Sequence, residues 1–283
     1  MTLSKPSNDW LFRMTTRIGA MMDPKGVDSL ATKPVGTGPY LFDTWNRGDS
    51  ITIKTNPHYW GTKPAYSTVV LKYFKDATAL NNALLTGTIS VIGTVQAPES
   101  LVQFEGNAKY QVIEGTSNGE VVLSFNNAKA PLNDVKVRQA VRSAIDHKAL
   151  IDTCWAGKGT LIGSMVPPTD PSYEDRTGDF PFDQAKALLA ESGNATPTLR
   201  LRVPDLPYAV SADKSLRASS SKSVSPSTWK RWSSRVDVPQ VFANHDYDMS
   251  IVAHVEPRDL PAVFGNPQYY TLRCPIGSRQ WPL

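Results

Sequence analysis

The clearest element in the hydrophobic pattern of this chain is a helix. Apolar residues recur at i, i+3, i+4, i+7 and i+8 from Val137 to Ile145, and charged residues fall mostly on the opposite side. Asn133 and Asp134 precede this run with side-chain oxygens that can accept the first free amide protons of a helix. Asp146 can cap a second helix, predicted over 147–153. The pattern predicts helices packed on a larger α/β body.

Alternation of apolar and polar residues predicts the strands. Residues 40–45 form one predicted strand, a hairpin turn follows at 46–49, and Ile51 and Ile53 alternate with polar neighbours on the return strand. Further strands are predicted at 69–74, 89–92, 110–113, 199–203 and 249–253. Helices are expected after Asp76 and over 98–104, so residues 67–114 alternate strand and helix. This order predicts a largely parallel sheet covered on both faces.

Length and composition fit a globular protein with more than one lobe. The chain has 283 residues, of which 40% are hydrophobic and 20% charged, the ordinary balance for a protein with a buried core. No run approaches the roughly 18 apolar residues that a membrane span needs. The first residues lack a charged start followed by an apolar stretch, so the sequence predicts no signal peptide.

The positive charge is concentrated in one unusual segment. Residues 213–235 hold six basic residues against Asp213, which exceeds the whole chain's net charge of +4, so the body is near neutral. Nine of these residues are Ser, and no helical or strand period is visible. We expect an irregular segment, and hypothesise that it and residues 271–283 were translated out of frame. A disordered insertion is the alternative.

Candidate chemistry is sparse, which argues against an enzyme. The four His residues are separated and show no metal-ligand spacing, and Ser164 lies outside a GxSxG nucleophile motif. Cys154 and Cys274 lack the spacing of a zinc site or a disulfide framework. An acidic cluster with one His could bind a cation, although a solvated loop explains it as well; its members are His245, Asp246, Asp248, Glu256 and Asp259. The sequence predicts no cofactor and no metal.

Three stretches of the chain resemble a known family. Residues 126–151 contain NN, then PLND, then VRQAV and AIDHKALI, and this run is similar to the family 5 extracellular solute-binding proteins, the peptide- and nickel-type receptors of ABC importers. The chain departs from the family pattern at Leu132, where Phe is preferred, and at His147, where Arg is preferred. Further similarity lies in 35–61, with GTGPY and NPHYWG, and in 163–193, with PP and AKALLAESG.

The resemblance implies an α/β, two-lobed type II periplasmic-binding-protein fold, incomplete in this chain. Residues 1–122 would be the remaining part of the first lobe. Residues 123–270 would form the second lobe, interrupted by 213–235, and 271–283 an irregular tail. The implied protein is a monomer that captures short peptides in the periplasm or at the cell surface and delivers them to permease subunits. The lipid anchor of such receptors is not in this sequence.

The resemblance also implies where ligand binds. Family members place an acidic residue beyond the strand predicted at 249–253, where it pairs with a ligand's α-amino group. The residues expected to bind ligand are Tyr40, Trp45, Phe125, Asn126, His254, Glu256 and Asp259. Three alternatives stay open: a carrier of a metal chelate, heme or sugar, a non-functional fragment, and a nucleic-acid module through 213–235. Salt-sensitive binding would identify the last, and we expect no nucleic-acid partner.

Overall fold

The computed structural model describes residues 2–7, 10–16, 19–22, 24–95, 97–115, 117–164, 166–179, 181, 184–204, 206–220, 241 and 244–254. The chain divides into two compact units, residues 1–95 and 96–283. The predicted division into lobes at residues 122 and 123 concerns the complete two-lobed fold and stays a prediction.

The first unit is built on a three-stranded antiparallel sheet. Its strands are β1 (Tyr40–Asn46), β2 (Ser50–Thr55) and β3 (Thr68–Lys72), in that order. The predicted hairpin is confirmed, and Gly48 supplies the positive φ of 82° in its turn. The unit also contains the helices α1 (Trp10–Met14) and α2 (Ala77–Leu85), and a 3₁₀ turn at Pro24–Ser29. Asp76 caps α2, since its Oδ1 accepts from the Ala79 amide at 2.8 Å.

Two predicted strands, at 89–92 and 110–113, are wrong. The amide of Ile89 donates to the carbonyl of Ala83, which ties that segment back onto α2. Residues 110–113 have no strand partner among the described residues, and Ile113 is 80% exposed. The parallel sheet expected for 67–114 is therefore also wrong. Its strands would have needed burial on both faces, which these segments do not have.

The second unit contains a mixed sheet in the order β4, β6, β5. Its strands are β4 (Glu120–Phe125), β5 (Leu201–Arg202) and β6 (Met249–His254). The central strand β6 pairs antiparallel with β4 and parallel with β5. A 3₁₀ helix, Pro98–Gln103, precedes this sheet along the chain.

Four helices pack with this sheet around one core. They are α3 (Val135–Ser143), α4 (His147–Trp155), α5 (Ala185–Glu191) and α6 (Pro207–Ser220). Asp134 and Asp146 cap α3 and α4 by accepting from the amides of Lys136 and Ala149, at 2.8 and 2.9 Å, as the sequence predicts. The residues that make the core include Leu132, Val137, Ala140, Leu189, Leu199, Leu201, Leu216, Met249 and Ile251.

Regular structure extends further along the chain than the sequence pattern indicates. We expected loss of regular structure from residue 213, but α6 continues to Ser220. Ala209, Ala212 and Leu216 are buried at helical spacing, so one face of α6 joins the core although small and polar residues dominate its composition. Residues 221–235 and 271–283 lie outside the described residues, and the out-of-frame hypothesis stays a prediction there.

Candidate functional site

The pairing of β4 with β6 defines two ends of the mixed sheet. Glu120 lies opposite His254 at the carboxyl end of β6, and Phe125 lies opposite Met249 at its amino end. Five residue steps at about 3.3 Å each separate the two ends by roughly 17 Å. Phe125 and Asn126 therefore lie at the opposite end of the strands from His254, although the sequence predicts that all three line one cleft.

At the amino end of β6, the side chain of Asn126 is used within the fold. Its Nδ2 donates to the carbonyls of His245 and Tyr247 at 3.0 and 3.1 Å, and its Oδ1 accepts from the Ala128 amide at 3.2 Å. Asn126 is 2% exposed. Both amide protons are occupied, so this side chain holds the turn after β4 against the segment that leads into β6.

An ion-pair network occupies the same end of the sheet. The Arg200 guanidinium donates to Asp246 and Asp248 at 3.0 and 3.1 Å, and the buried Arg202 also donates to Asp246. Hydrogen bonding from Arg200, together with nearby positive charge, lowers the pKa of Asp246. Within the described ranges no group of three or more His, Cys, Asp or Glu side chains could hold a metal. Asp246 and Asp248, two of the four carboxylates considered for a cation site, are therefore paired with arginine side chains.

At the carboxyl end of β6, Glu120 is the notable side chain. It is half-buried, and burial, followed by the charge of Asp170, raises its pKa from 4.5 to about 7. Its carboxylate has no hydrogen bond or ion pair within the part of the chain that the structure describes. Ligands of open α/β sheets bind beyond the carboxyl ends of strands. Sequence reasoning missed Glu120, and the only available signal was an acidic residue opening an otherwise apolar strand.

The other predicted ligand-binding residues fall elsewhere. In the first unit, Tyr40 donates from its hydroxyl to the Tyr66 carbonyl at 2.9 Å. Trp45 is half-buried, the guanidinium carbon of Arg47 lies 4.4 Å from the centre of its ring, and its Nε1 has no acceptor among the described residues. His254 ends β6 and is described here by its backbone alone, while Glu256 and Asp259 lie outside the described residues.

Comparison with known proteins identifies the family. The model described as bacterial extracellular solute-binding proteins, family 5 Middle, matches residues 1–231 of the chain. This chain belongs to that family. Membership confirms the family that the sequence resemblance predicted. Within the described residues, no helix has the length and apolar character needed to cross a membrane.

The match with each relative covers only part of that relative's length. Heme-binding protein A of Haemophilus influenzae is 34% identical over 168 residues, which are 59% of this chain and 30% of the relative. The dipeptide-binding protein of Escherichia coli K12 is 32% identical over 176 residues, 62% of this chain and 33% of the relative. The chain thus spans about a third of the length of these curated family 5 relatives.

A solved periplasmic binding protein confirms the fold class. The ABC transporter-associated periplasmic binding protein of Helicobacter pylori, solved in complex with the peptide STSA, superposes with a TM-score of 0.75 at 21% identity. The match covers 92% of this chain and 53% of the solved protein. The predicted α/β periplasmic-binding-protein fold, incomplete relative to its two-lobed relatives, is confirmed.

Proposed function

We propose that this family 5 chain is part of the ligand-capturing body of an ABC importer and takes short peptides outside the membrane. The E. coli relative is named a dipeptide-binding protein. Glu120 carries the proposal, because a half-buried carboxylate with no cationic partner among the described residues lies at the carboxyl end of β6. The α-ammonium of a peptide is the partner that this group lacks, and a charge-assisted hydrogen bond would hold it there.

The rest of the proposed family 5 site follows from the sequence predictions. We propose that His254, which ends β6 opposite Glu120, binds ligand, as do Glu256 and Asp259, which follow β6 in the sequence, and Tyr40 and Trp45 of the first lobe. Phe125 and Asn126 belong to the opposite end of the sheet, so we propose for them a structural role. Closure of two lobes would bury a ligand more fully than either lobe alone, and the importer would bind the closed form.

The remaining partners are those of a periplasmic or cell-surface receptor. We propose that the protein acts as a monomer, delivers its ligand to permease subunits, and needs no cofactor. A nucleic-acid partner would depend on the basic segment 213–235. The first eight of those residues belong to α6, where Asp213 and Leu216 are buried. The helix therefore removes part of the segment from the surface that nucleic acid would contact.

A carrier of a different solute is the second candidate. The H. influenzae relative, at 34% identity, is named a heme-binding protein. Family 5 membership alone therefore fits more than one ligand class. Heme presents carboxylates rather than an ammonium group, so the acidic edge at Glu120 favours the peptide over heme.

Thermal melts of the 283-residue chain with three probes separate these functions. The probes are the peptide Ser-Thr-Ser-Ala, its N-acetylated form and hemin. A ligand at about 100 times its Kd stabilises the native state by roughly 2.7 kcal/mol. We expect a rise in melting temperature with the free peptide alone. A rise with hemin alone would favour the second candidate, and no rise with any probe would favour a non-functional fragment.

A further inference from the structure

A loop of the second unit closes on itself at a narrow neck. The loop runs from Gly163 to Arg176, and a Cβ placed on Gly163 would lie 2.3 Å from the amide nitrogen of Thr177 and 2.4 Å from backbone atoms of Arg176. Atoms do not approach so closely, so only glycine fits at this crossing. The segment between the two ends of the neck has the length of an Ω-loop.

Arg142 of α3 bridges the two ends of this neck. Its Nη2 donates to the Gly163 carbonyl at 3.4 Å and to the Arg176 carbonyl at 3.1 Å. Burial lowers the pKa of the Arg142 guanidinium, and the charge of Asp179 opposes that shift. A planar guanidinium can serve two acceptors at once, which a lysine ammonium on a flexible stem does less well.

Hydrogen bonds among residues 170–173 fix a turn within the loop. Asp170 Oδ1 accepts from the amide and the hydroxyl of Ser172 at 2.8 and 2.6 Å, and the Tyr173 amide donates to the Asp170 carbonyl at 3.0 Å. Val166 turns inward and is 8% exposed. Asp170 thus lies in a hydrogen-bonded turn between the two ends that Arg142 joins.

The tip of the loop meets the sheet edge at the start of β4. The Thr169 hydroxyl donates to Asn118 Oδ1 at 2.6 Å, two residues before Glu120. Asp170 acts on Glu120 through its charge and adds to the effect of burial on that carboxyl group. Loop 163–176 thus extends from its neck, which Arg142 of α3 contacts, to the carboxyl end of β6.

We propose that Arg142 is a positioning residue for peptide binding, which fixes the neck of loop 163–176 and thereby holds Asp170 beside Glu120. The inference rests on the proposed peptide function. In this proposal the two acidic groups form the site for the peptide ammonium, and Arg142 acts on that site through the loop.

The test compares Arg142→Gln with the matched variant Arg138→Gln in the full 283-residue chain. Arg138 lies one helical turn earlier on α3, and its guanidinium donates to the Leu132 carbonyl at 2.8 Å, away from the loop. Affinity for Ser-Thr-Ser-Ala is measured by calorimetry, and the titration of Glu120 by ¹³C NMR of its carboxyl group. Destabilisation alone would not move the titration of a native side chain.

For Arg142→Gln we expect about tenfold weaker peptide binding, the change that accompanies loss of one favourable ionic contact. The Glu120 titration should move toward its ordinary range, because Asp170 is no longer held nearby. Arg142→Lys should restore part of both, and Arg138→Gln should change neither. Gly163→Ala, which forces the neck apart while keeping Arg142, should reproduce the effects of Arg142→Gln.

Unchanged affinity and an unchanged Glu120 titration in both Arg142→Gln and Gly163→Ala would overturn the inference. If Arg142→Gln fails to fold, Gly163→Ala decides: a Glu120 titration identical to the parent chain's argues against a positioning role of the neck. If the parent chain does not bind the peptide, the proposed function fails, and the Glu120 titration alone decides whether Arg142 positions the loop.

Discussion

The side-chain nitrogen of Asn126 lies 3.1 Å from the carbonyl oxygen of Tyr247, a residue 121 positions later. With the bond to the His245 carbonyl, this contact joins the end of β4 to the segment before β6. Asn126→Ala would leave two carbonyls without their donor, and we expect a loss of about 3 kcal/mol in the free energy of unfolding. Urea denaturation measures it.

Asn133 is exposed, and Asn133→Ala is the control for Asn126→Ala. Asn133 lies in the same stretch before α3, and its change should stay within about 0.5 kcal/mol of the parent chain. Equal losses in the two variants would show that Asn126 does not connect the two segments.

Leu132 tests the core beneath α3. It is 1% exposed, and it occupies a position where the family resemblance expects Phe. Leu132→Ala should cost about 3 kcal/mol, since removing a buried Leu side chain loses transfer free energy and leaves a cavity. Leu161→Ala, at a site that is 38% exposed, is the matched control and should cost far less. Thermal or urea unfolding compares them, and a similar loss in both would contradict the burial.

Glu120 should make stability depend on pH. Its pKa is about 7 in the folded chain and 4.5 ordinarily, so the folded state holds its proton more tightly. The stability it contributes is fully present below pH 4.5 and is lost as pH rises through about 7. Glu120→Gln removes this dependence. The free-energy difference between the two proteins should therefore move in favour of Glu120→Gln between pH 4.5 and 7.5, and a constant difference would refute the raised pKa.

At high protein concentration, any association of the proposed monomer should begin at the edge strand β3. It lies at the edge of its described sheet, and Val70 and Leu71 are 50% and 49% exposed. An exposed apolar edge is a template for pairing with another chain, and a lysine there opposes it. Leu71→Lys should shift the chain toward monomer in light scattering after size exclusion. Leu161→Lys, outside any strand, should not, and equal effects would show that general charge matters rather than this edge.

Local signals in the sequence predicted the parts of the fold that depend on local physics. The caps Asp134 and Asp146, the apolar face of α3 and the β1–β2 hairpin depend on short-range spacing, and each is confirmed. The prediction of a strand at 89–92 was wrong, because an apolar run does not reveal whether a partner strand exists. Helix α6 was missed because burial of small residues depends on what packs against them.

The candidate site was harder to predict because its residues meet through pairing register. Glu120 and His254 become neighbours only when β4 and β6 pair antiparallel, and no spacing in the sequence encodes that pairing. The same register separates Phe125 from His254, which the family resemblance alone did not reveal. Loop 163–176 depends on a single Gly whose close contact is visible only in three dimensions.

The strand order β4, β6, β5 has a consequence for synthesis of the protein. The central strand is the last of the three to leave the ribosome, so β4 and β5 emerge without the strand that joins them. Pairings this distant in sequence form slowly, because the entropy of closing a long loop is lost before the strand contacts contribute favourable free energy. During translation the apolar faces of α3 and α5 stay without their core partners Met249 and Ile251 until β6 is synthesised. Arrest of translation before β6 should therefore leave a nascent chain that binds chaperones and is sensitive to protease.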